Sequence, residues 1–292
     1  MTYRGRFAPS PTGRLHFGSL VAAVGSWLCA RQAGGSWLLR MEDIDPPREV
    51  TGAAADILAT LPVFGLTADE PPLFQSTRRA AYDAAFARLR DSGQLFPCWC
   101  SRSDLAATGG LHRDGQCVAA PTGQRPPAWR LRVPDLDIAF DDALQGPQRQ
   151  NLRESVGDFV IRRVEGFYAY QLACVVDDAF QGITEVVRGR DLLDATPRQI
   201  YLQRLLELPT PRYLHLPLAL DALGRKLSKS DAAHPVDPAD PLPALRNALT
   251  FLGVTPPRIA ADPVELLARA LDDFEPAHLS RHGNTTAAGA GI

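Results

Sequence analysis

A chain of 292 residues has room for one large domain or two of ordinary size, with an ample core. Its 31 basic and 33 acidic side chains leave no global charge for a polyanion, so any nucleic-acid surface must be a local patch. Five cysteines, two of them one residue apart, argue for a reducing compartment over a secreted disulfide scaffold; with no apolar signal core and no apolar run of spanning length, the expectation is a cytoplasmic protein that does not enter a membrane.

The first element is a short apolar strand entering at Arg6, followed by a proline-punctuated turn, A-P-S-P-T-G, and a helix that opens near His16 and runs through V-A-A-V-G-S-W-L-C-A. A strand that delivers a helix N-terminus to one place, with small residues around it, is a ready site for a phosphate. Gly13 and Gly18 have the spacing of a P-loop, but Ser19 stands where its lysine would be and Leu20 where its hydroxyl would be, so that motif is excluded. Trp37 to Met41 reads as a second strand, which makes a βαβ unit and predicts a parallel sheet. Glu42 then faces the same crevice as the first turn. Helical rhythm follows to about Pro62 and again from Thr77 to Arg90, closed by Gly93.

From Leu95 the chain changes character. F-P-C-W-C and a polar, glycine-rich loop lead into W-R-L-R-V, as in an insertion with small strands of its own. Residues 157–178 read as a hairpin turning at Glu165 and Gly166, with an apolar second arm that carries Tyr170, Cys174, Asp177 and Asp178 back into a buried sheet. A strand-to-helix passage through V-V-R-G-R-D, an amphipathic helix ending at Pro209, and Y-L-H-L-P-L-A-L follow, leading to G-R-K-L-S-K-S. Beyond lie a loop rich in Ala, Asp and Pro, two helical segments and a tail with nothing to bury, expected to be mobile.

H-F-G-S at His16 to Ser19 and K-L-S-K-S at Lys226 to Ser230, in this order, resemble the two signatures of class I aminoacyl-tRNA synthetases. R-F-A-P-S-P-T-G, M-E-D-I-D-P-P-R and V-V-D-D-A-F-Q-G-I-T-E-V-V-R-G-R-D resemble the glutamyl branch, and the likeness runs from about Arg6 to Ser230. Only about sixty residues follow Ser230, too few for the anticodon-reading region of a glutamyl-tRNA synthetase. That shortness, with C-W-C early in the insertion, resembles the glutamyl-queuosine tRNA(Asp) synthetases, which attach glutamate to the queuosine base in the anticodon of tRNA(Asp). The resemblance implies an α/β fold: a Rossmann-type parallel-sheet catalytic domain at 1–93 and 168–235, split by a small α+β insertion at 94–167 and followed by a short helical segment and tail at 236–292. It also implies ATP with magnesium, L-glutamate and the anticodon arm of tRNA(Asp) as partners of a monomer. The competing readings are a short glutamyl-tRNA synthetase charging the tRNA 3′ end and a non-catalytic tRNA-binding module of the same fold.

Such an enzyme needs positioning and charge stabilisation more than a general base, because a carboxylate is already a nucleophile. The resemblance makes His16, Gly18, Lys226 and Lys229 the catalytic set, with Thr12, His16, Gly18 and Lys229 on ATP. Leu227 replaces the family methionine, and Ser19 the second histidine of the H-I-G-H form. Arg6, Ser10, Glu42, Tyr170 and Arg188 match positions that hold glutamate, with Glu42 receiving its ammonium group. Asp177 and Asp178 are given no catalytic role. Cys98, Cys100 and Cys117 suggest zinc. The family has a tyrosine four residues before the last cysteine, where this chain has Arg113; a guanidinium cannot ligate, and His112 is the chemically better fourth ligand. Arg153, Arg162, Arg163, Arg190, Arg198 and Arg204 are candidates for contact with tRNA.

Overall fold

A computed structural model describes residues 2–106, 109–121, 125–218, 235–272 and 274–281. The tail and the K-L-S-K-S segment, with Lys226 and Lys229, lie outside the described residues. β1 (Arg4–Phe7), α1 (Phe17–Gln32) and β2 (Ser36–Met41) form the expected parallel βαβ unit, in register from Arg4 opposite Ser36 to Phe7 opposite Leu39. α2 (Ala53–Val63) carries Pro62 in its last turn, and β3 (Leu73–Phe74) adds to β2. α3 (Arg79–Asp91) ends where Gly93, at φ +74°, turns its amide back to the Arg90 carbonyl.

β4 (Leu95–Cys98), β5 (Ala128–Leu131) and β8 (Phe159–Arg162) make a separate antiparallel sheet. Between them, β6 (Asp137–Asp142) and β7 (Gly146–Asn151) form a hairpin, and α4 (Leu152–Ser155) is a single turn. α5 (Tyr170–Phe180), β9 (Glu185–Gly189), α6 (Thr196–Leu205) and β10 (Arg212–Leu216) follow, then α7 (Pro241–Leu252) and α8 (Pro263–Asp272).

The main sheet has seven strands in the order β3-β2-β1-β9-β10-β6-β7, parallel except for the terminal hairpin. β2 is buried on both faces, as parallel sheets are. Trp37, Leu39 and Met41 join one core with residues of α1, α7 and α8, while Leu38 joins another with residues of α3, α5 and α6. The stretch around 94–167 therefore contributes twice: a small sheet of its own, and the β6–β7 hairpin that extends the main one.

The hairpin expected over 157–178 is corrected in its second arm. The turn forms, with Gly166 at φ +90° and the Gly166 amide on the Arg163 carbonyl, but pairing stops at the Arg162–Tyr168 bridge. Tyr170, Cys174, Asp177 and Asp178 lie on helix α5 instead of a strand. L-A-C-V-V is buried nearly all round, so its apolar run has no amphipathic rhythm to separate helix from strand.

Candidate active site and metal centre

Strand order reverses between β1 and β9, and ligands of open parallel sheets bind beyond the strand ends at such a point. A cleft of about 270 Å³ lies there, lined by the turn after β1, the start of α1, and the segments after β9 and β10. Ser10, Thr12, His16 and Gly18 all line it. His16 caps α1: its Nδ1 accepts the Ser19 amide at 3.3 Å, and the Ser19 hydroxyl is 3.0 Å from Nε2. A Cβ at Gly18 would sit 3.3 Å from the His16 ring, so a side chain there would crowd it. Leu218 lines the cleft where the described chain stops, and on its return Pro235 bridges to His16. Both described flanks of the K-L-S-K-S segment are thus at the cleft.

Arg6, Glu42 and Arg188 are buried in a polar layer at the same strand ends, and half-buried Tyr170, at the start of α5, meets it through its hydroxyl near Arg188. Arg6 and Arg40 converge on one oxygen of Asp178, at 3.0 and 2.6 Å. Arg40 also reaches Glu42 at 3.3 Å and Gln181 at 3.1 Å. Burial would raise the Asp178 carboxyl, but the two guanidinium groups hold it far below the usual carboxylate range. Burial pushes Glu42 up despite Arg40 and Arg6, and pushes the Cys174 thiol up to about 11.

Arg188 has a different environment. Its Nε donates to His215 Nε2 at 3.0 Å, one terminal nitrogen donates to Thr196 Oγ1 at 2.7 Å, and the other lies 3.4 Å from the Tyr170 hydroxyl. His215 Nδ1 is 2.5 Å from Asp142 Oδ2. Among the described residues Arg188 has no carboxylate ion-pair partner, although it is only 5% exposed.

Asp177 and Asp178, expected on a strand, are buried anchors of α5. Asp177 takes hydrogen bonds from Arg78, Gln75 and Tyr82. Sequence reasoning missed Arg40, Asp142 and His215. The signal for Arg40 was present: a lone arginine in W-L-L-R-M, inside a strand that parallel pairing buries on both faces, must find an acid. Of the basic candidates for tRNA contact, Arg153 pairs with Asp114, Arg163 pairs with Asp45, and Arg162 lies over the Phe86 and Tyr168 rings.

In the small sheet, Cys98, Cys100, His112 and Cys117 bring their ligand atoms within 4.8 Å of one another. Asp158 takes His112 Nδ1 at 2.9 Å and the amides of Gly115 and Val133 at 2.8 Å each. Among the described residues His112 Nε2, which is buried, has no hydrogen-bond partner. An orphaned imidazole nitrogen beside three sulfurs, with its other nitrogen on a carboxylate, fits a tetrahedral zinc site. Arg113 turns away, bonding the Arg153 and Glu154 carbonyls.

The family model of class I tRNA synthetase (E and Q) catalytic domains matches residues 2–262. The chain is similar to the glutamyl-Q tRNA(Asp) synthetase of Xanthomonas campestris pv. campestris strain 8004, 57% identical over 99% of this chain and 97% of that one. It is similar to the protein of the same name from Xanthomonas axonopodis pv. citri, 60% identical over 96% and 93%. A Burkholderia mallei protein, again so named, is 58% identical over 86% and 89%. Among solved structures it resembles glutamate-tRNA synthetase from Elizabethkingia anophelis, with a TM-score of 0.81 and 25% identity, covering 97% of this chain and 68% of that one. A glutamate tRNA ligase from Elizabethkingia meningosepticum in complex with its amino acid has the same score and identity, with 66% of its chain covered. Among the described residues no helix is long and apolar enough to cross a membrane.

Proposed function

The chain belongs to the class I tRNA synthetases of the E and Q type, and from that membership we propose that it activates L-glutamate with ATP and transfers it to the queuosine base in the anticodon of tRNA(Asp). In the first step the glutamate α-carboxylate attacks the α-phosphorus of ATP in line, forming glutamyl-adenylate and releasing pyrophosphate. In the second a hydroxyl of the acceptor attacks the activated carbonyl and AMP leaves. His16 donates to phosphate oxygens as charge develops, Thr12 and Gly18 let the nucleotide approach the turn, and Lys226 and Lys229 steady the pyrophosphate. Magnesium accompanies the ATP. Arg6, Ser10, Glu42, Tyr170 and Arg188 hold the amino acid.

One observation carries the glutamate assignment: the switch-point cleft is lined by Gly189, and the residue before it, Arg188, is a buried guanidinium whose described partners are all neutral. A buried cation in that state favours an incoming carboxylate. Glu42, pushed up by burial despite Arg40 and Arg6, gains a further cation when the substrate ammonium arrives. The acceptor is supported by the relatives, which are named for this activity and match nearly end to end. We further propose that Cys98, Cys100, His112 and Cys117 bind zinc and that the ion fixes the loop between β4 and β5.

The deciding experiment incubates labelled glutamate and ATP with tRNA(Asp) carrying or lacking queuosine, each also trimmed enzymatically of its terminal adenosine. Label is expected on queuosine-containing tRNA whether or not it is trimmed, and not on unmodified tRNA. Label that vanishes with the terminal adenosine would mean 3′ charging instead, and no pyrophosphate exchange with glutamate would mean a non-catalytic module.

A further inference from the structure

We infer that Asp142 and His215 are positioning residues for Arg188: Asp142 holds the imidazole as the Nδ1–H tautomer, which leaves Nε2 to accept the Arg188 Nε–H and aims the guanidinium at a substrate carboxylate. The inference rests on the reading of Arg188 as a glutamate-binding residue and deepens it.

The donor arithmetic leaves one arrangement. A guanidinium only donates, so a ring nitrogen 3.0 Å from Arg188 Nε carries a lone pair, and the proton of the neutral ring sits on Nδ1. Asp142 Oδ2 receives that proton's hydrogen bond at 2.5 Å. The other carboxylate oxygen is pinned by the amides of Leu144, Gln145 and His215, so the acid cannot rotate away. Burial, with the Arg188 charge adjacent, pulls the imidazole below its ordinary value despite Asp142, which keeps the ring neutral.

The imidazole between the charges has a chemical consequence. Arg6 and Arg40 touch Asp178 directly, and that carboxylate competes with any other anion for them. Arg188 is balanced by Asp142 only through the ring, so its charge is stabilised while no carboxylate occupies its terminal nitrogens. Thr196 and Tyr170 hold those nitrogens with neutral oxygens, and Tyr213 packs on both the guanidinium and the imidazole. Asp142 comes from the β6–β7 hairpin, opposite Tyr213 of β10. The stretch between the two halves of the parallel sheet therefore orients a side chain of the amino-acid pocket.

Asp142→Asn tests this with one atom. The asparagine amide can donate to Nδ1 and push the ring proton to Nε2, opposite the Arg188 Nε–H, as in tautomer inversion at a catalytic triad. Calorimetric titration of the full-length protein should find L-glutamate binding weakened roughly 10- to 100-fold, the loss of one charged hydrogen bond, with ATP binding unchanged. Nitrogen-15 spectra should move the His215 proton from Nδ1 to Nε2. His215→Gln, which keeps an acceptor for Arg188 but has no tautomer, should bind glutamate better than Asp142→Asn and should make a second Asp142→Asn change silent. Equal losses for glutamate and ATP, no loss at all, or full additivity in the His215→Gln background would overturn the inference. Should Asp142→Asn not fold, rescue by His215→Gln relative to His215→Phe decides it in the same sense. Arg188→Lys separates the two readings: if it leaves glutamate affinity intact, the assignment of Arg188 has failed, whereas weakened binding with Asp142→Asn unaffected overturns only the positioning role.

Discussion

Asp178 joins two guanidinium groups through one oxygen, and both arginines are almost wholly out of water, at 2% and 0% exposure. Burying such charges is costly, and their mutual attraction offsets that cost only while every member is present. Asp178→Asn keeps the shape and removes the charge, leaving two buried cations to Glu42 alone. Chemical denaturation at neutral pH should register a loss of about 3–5 kcal/mol. The pH dependence has a definite sign. The Asp178 carboxyl is lower in the folded state than in the unfolded chain, so its contribution is complete above the ordinary aspartate value of about 3.9 and disappears as pH falls from there toward the folded value. Glu42 is raised, so it works in the opposite direction and favours the fold as it takes up its proton. Titrating wild type and Asp178→Asn side by side isolates the first group: the stability gap should narrow below about pH 4. A gap that widens in acid would contradict the pairing.

At the scale of elements, local rules recovered the βαβ opening, the switch-point turn and the helix-closing Gly93, because turn chemistry and short-range periodicity determine them. They failed at α5, where a helix buried almost all round has the composition of a strand. That failure hid the network, since a helix stacks Tyr170, Cys174 and Asp178, spaced four apart, about one turn above one another, whereas a strand would spread them roughly 13 Å apart per step. The Arg40–Asp178 pair spans 138 residues and Asp142–His215 spans 73, separations that no local pattern reports. The cysteine loop was the reverse case. There the resemblance implied a ligand at Arg113, ligand chemistry favoured His112 one residue earlier, and the fold brings the His112 ligand atom near the sulfurs. Asp158→Asn should then lower zinc affinity roughly 10- to 100-fold, as loss of an outer carboxylate does. Competition with a chromophoric chelator measures this. His112→Ala should lower it further, and chelation should reduce the thermal midpoint of wild type but not of Cys98→Ser. Arg113→Ala, whose guanidinium faces away, should retain the metal.

At the scale of the whole molecule, the helices after residue 235 are not an appendage. Leu245, Ala248, Leu249 and Leu252 of α7 and Leu266, Leu267 and Ala270 of α8 share one core with Phe7, Leu20, Val24 and Trp37. α1, which presents His16 to the cleft, is therefore pressed between the parallel sheet and a part of the chain that follows the K-L-S-K-S segment. The approach on its sheet side is close: a Cβ at Gly25 would come within 2.6 Å of Leu216. Helix and sheet have little slack there, so a void opened on the α7 side cannot be filled by a small shift of α1. Leu249 is fully buried, and Leu249→Ala should cost about 2–5 kcal/mol of unfolding free energy. Because the same core contains Trp37, tryptophan fluorescence and far-ultraviolet circular dichroism should report a single coincident transition in the variant as in wild type. An early loss of helical signal with fluorescence unchanged would mean that α7 and α8 unfold alone, and that the wall behind His16 stands without them.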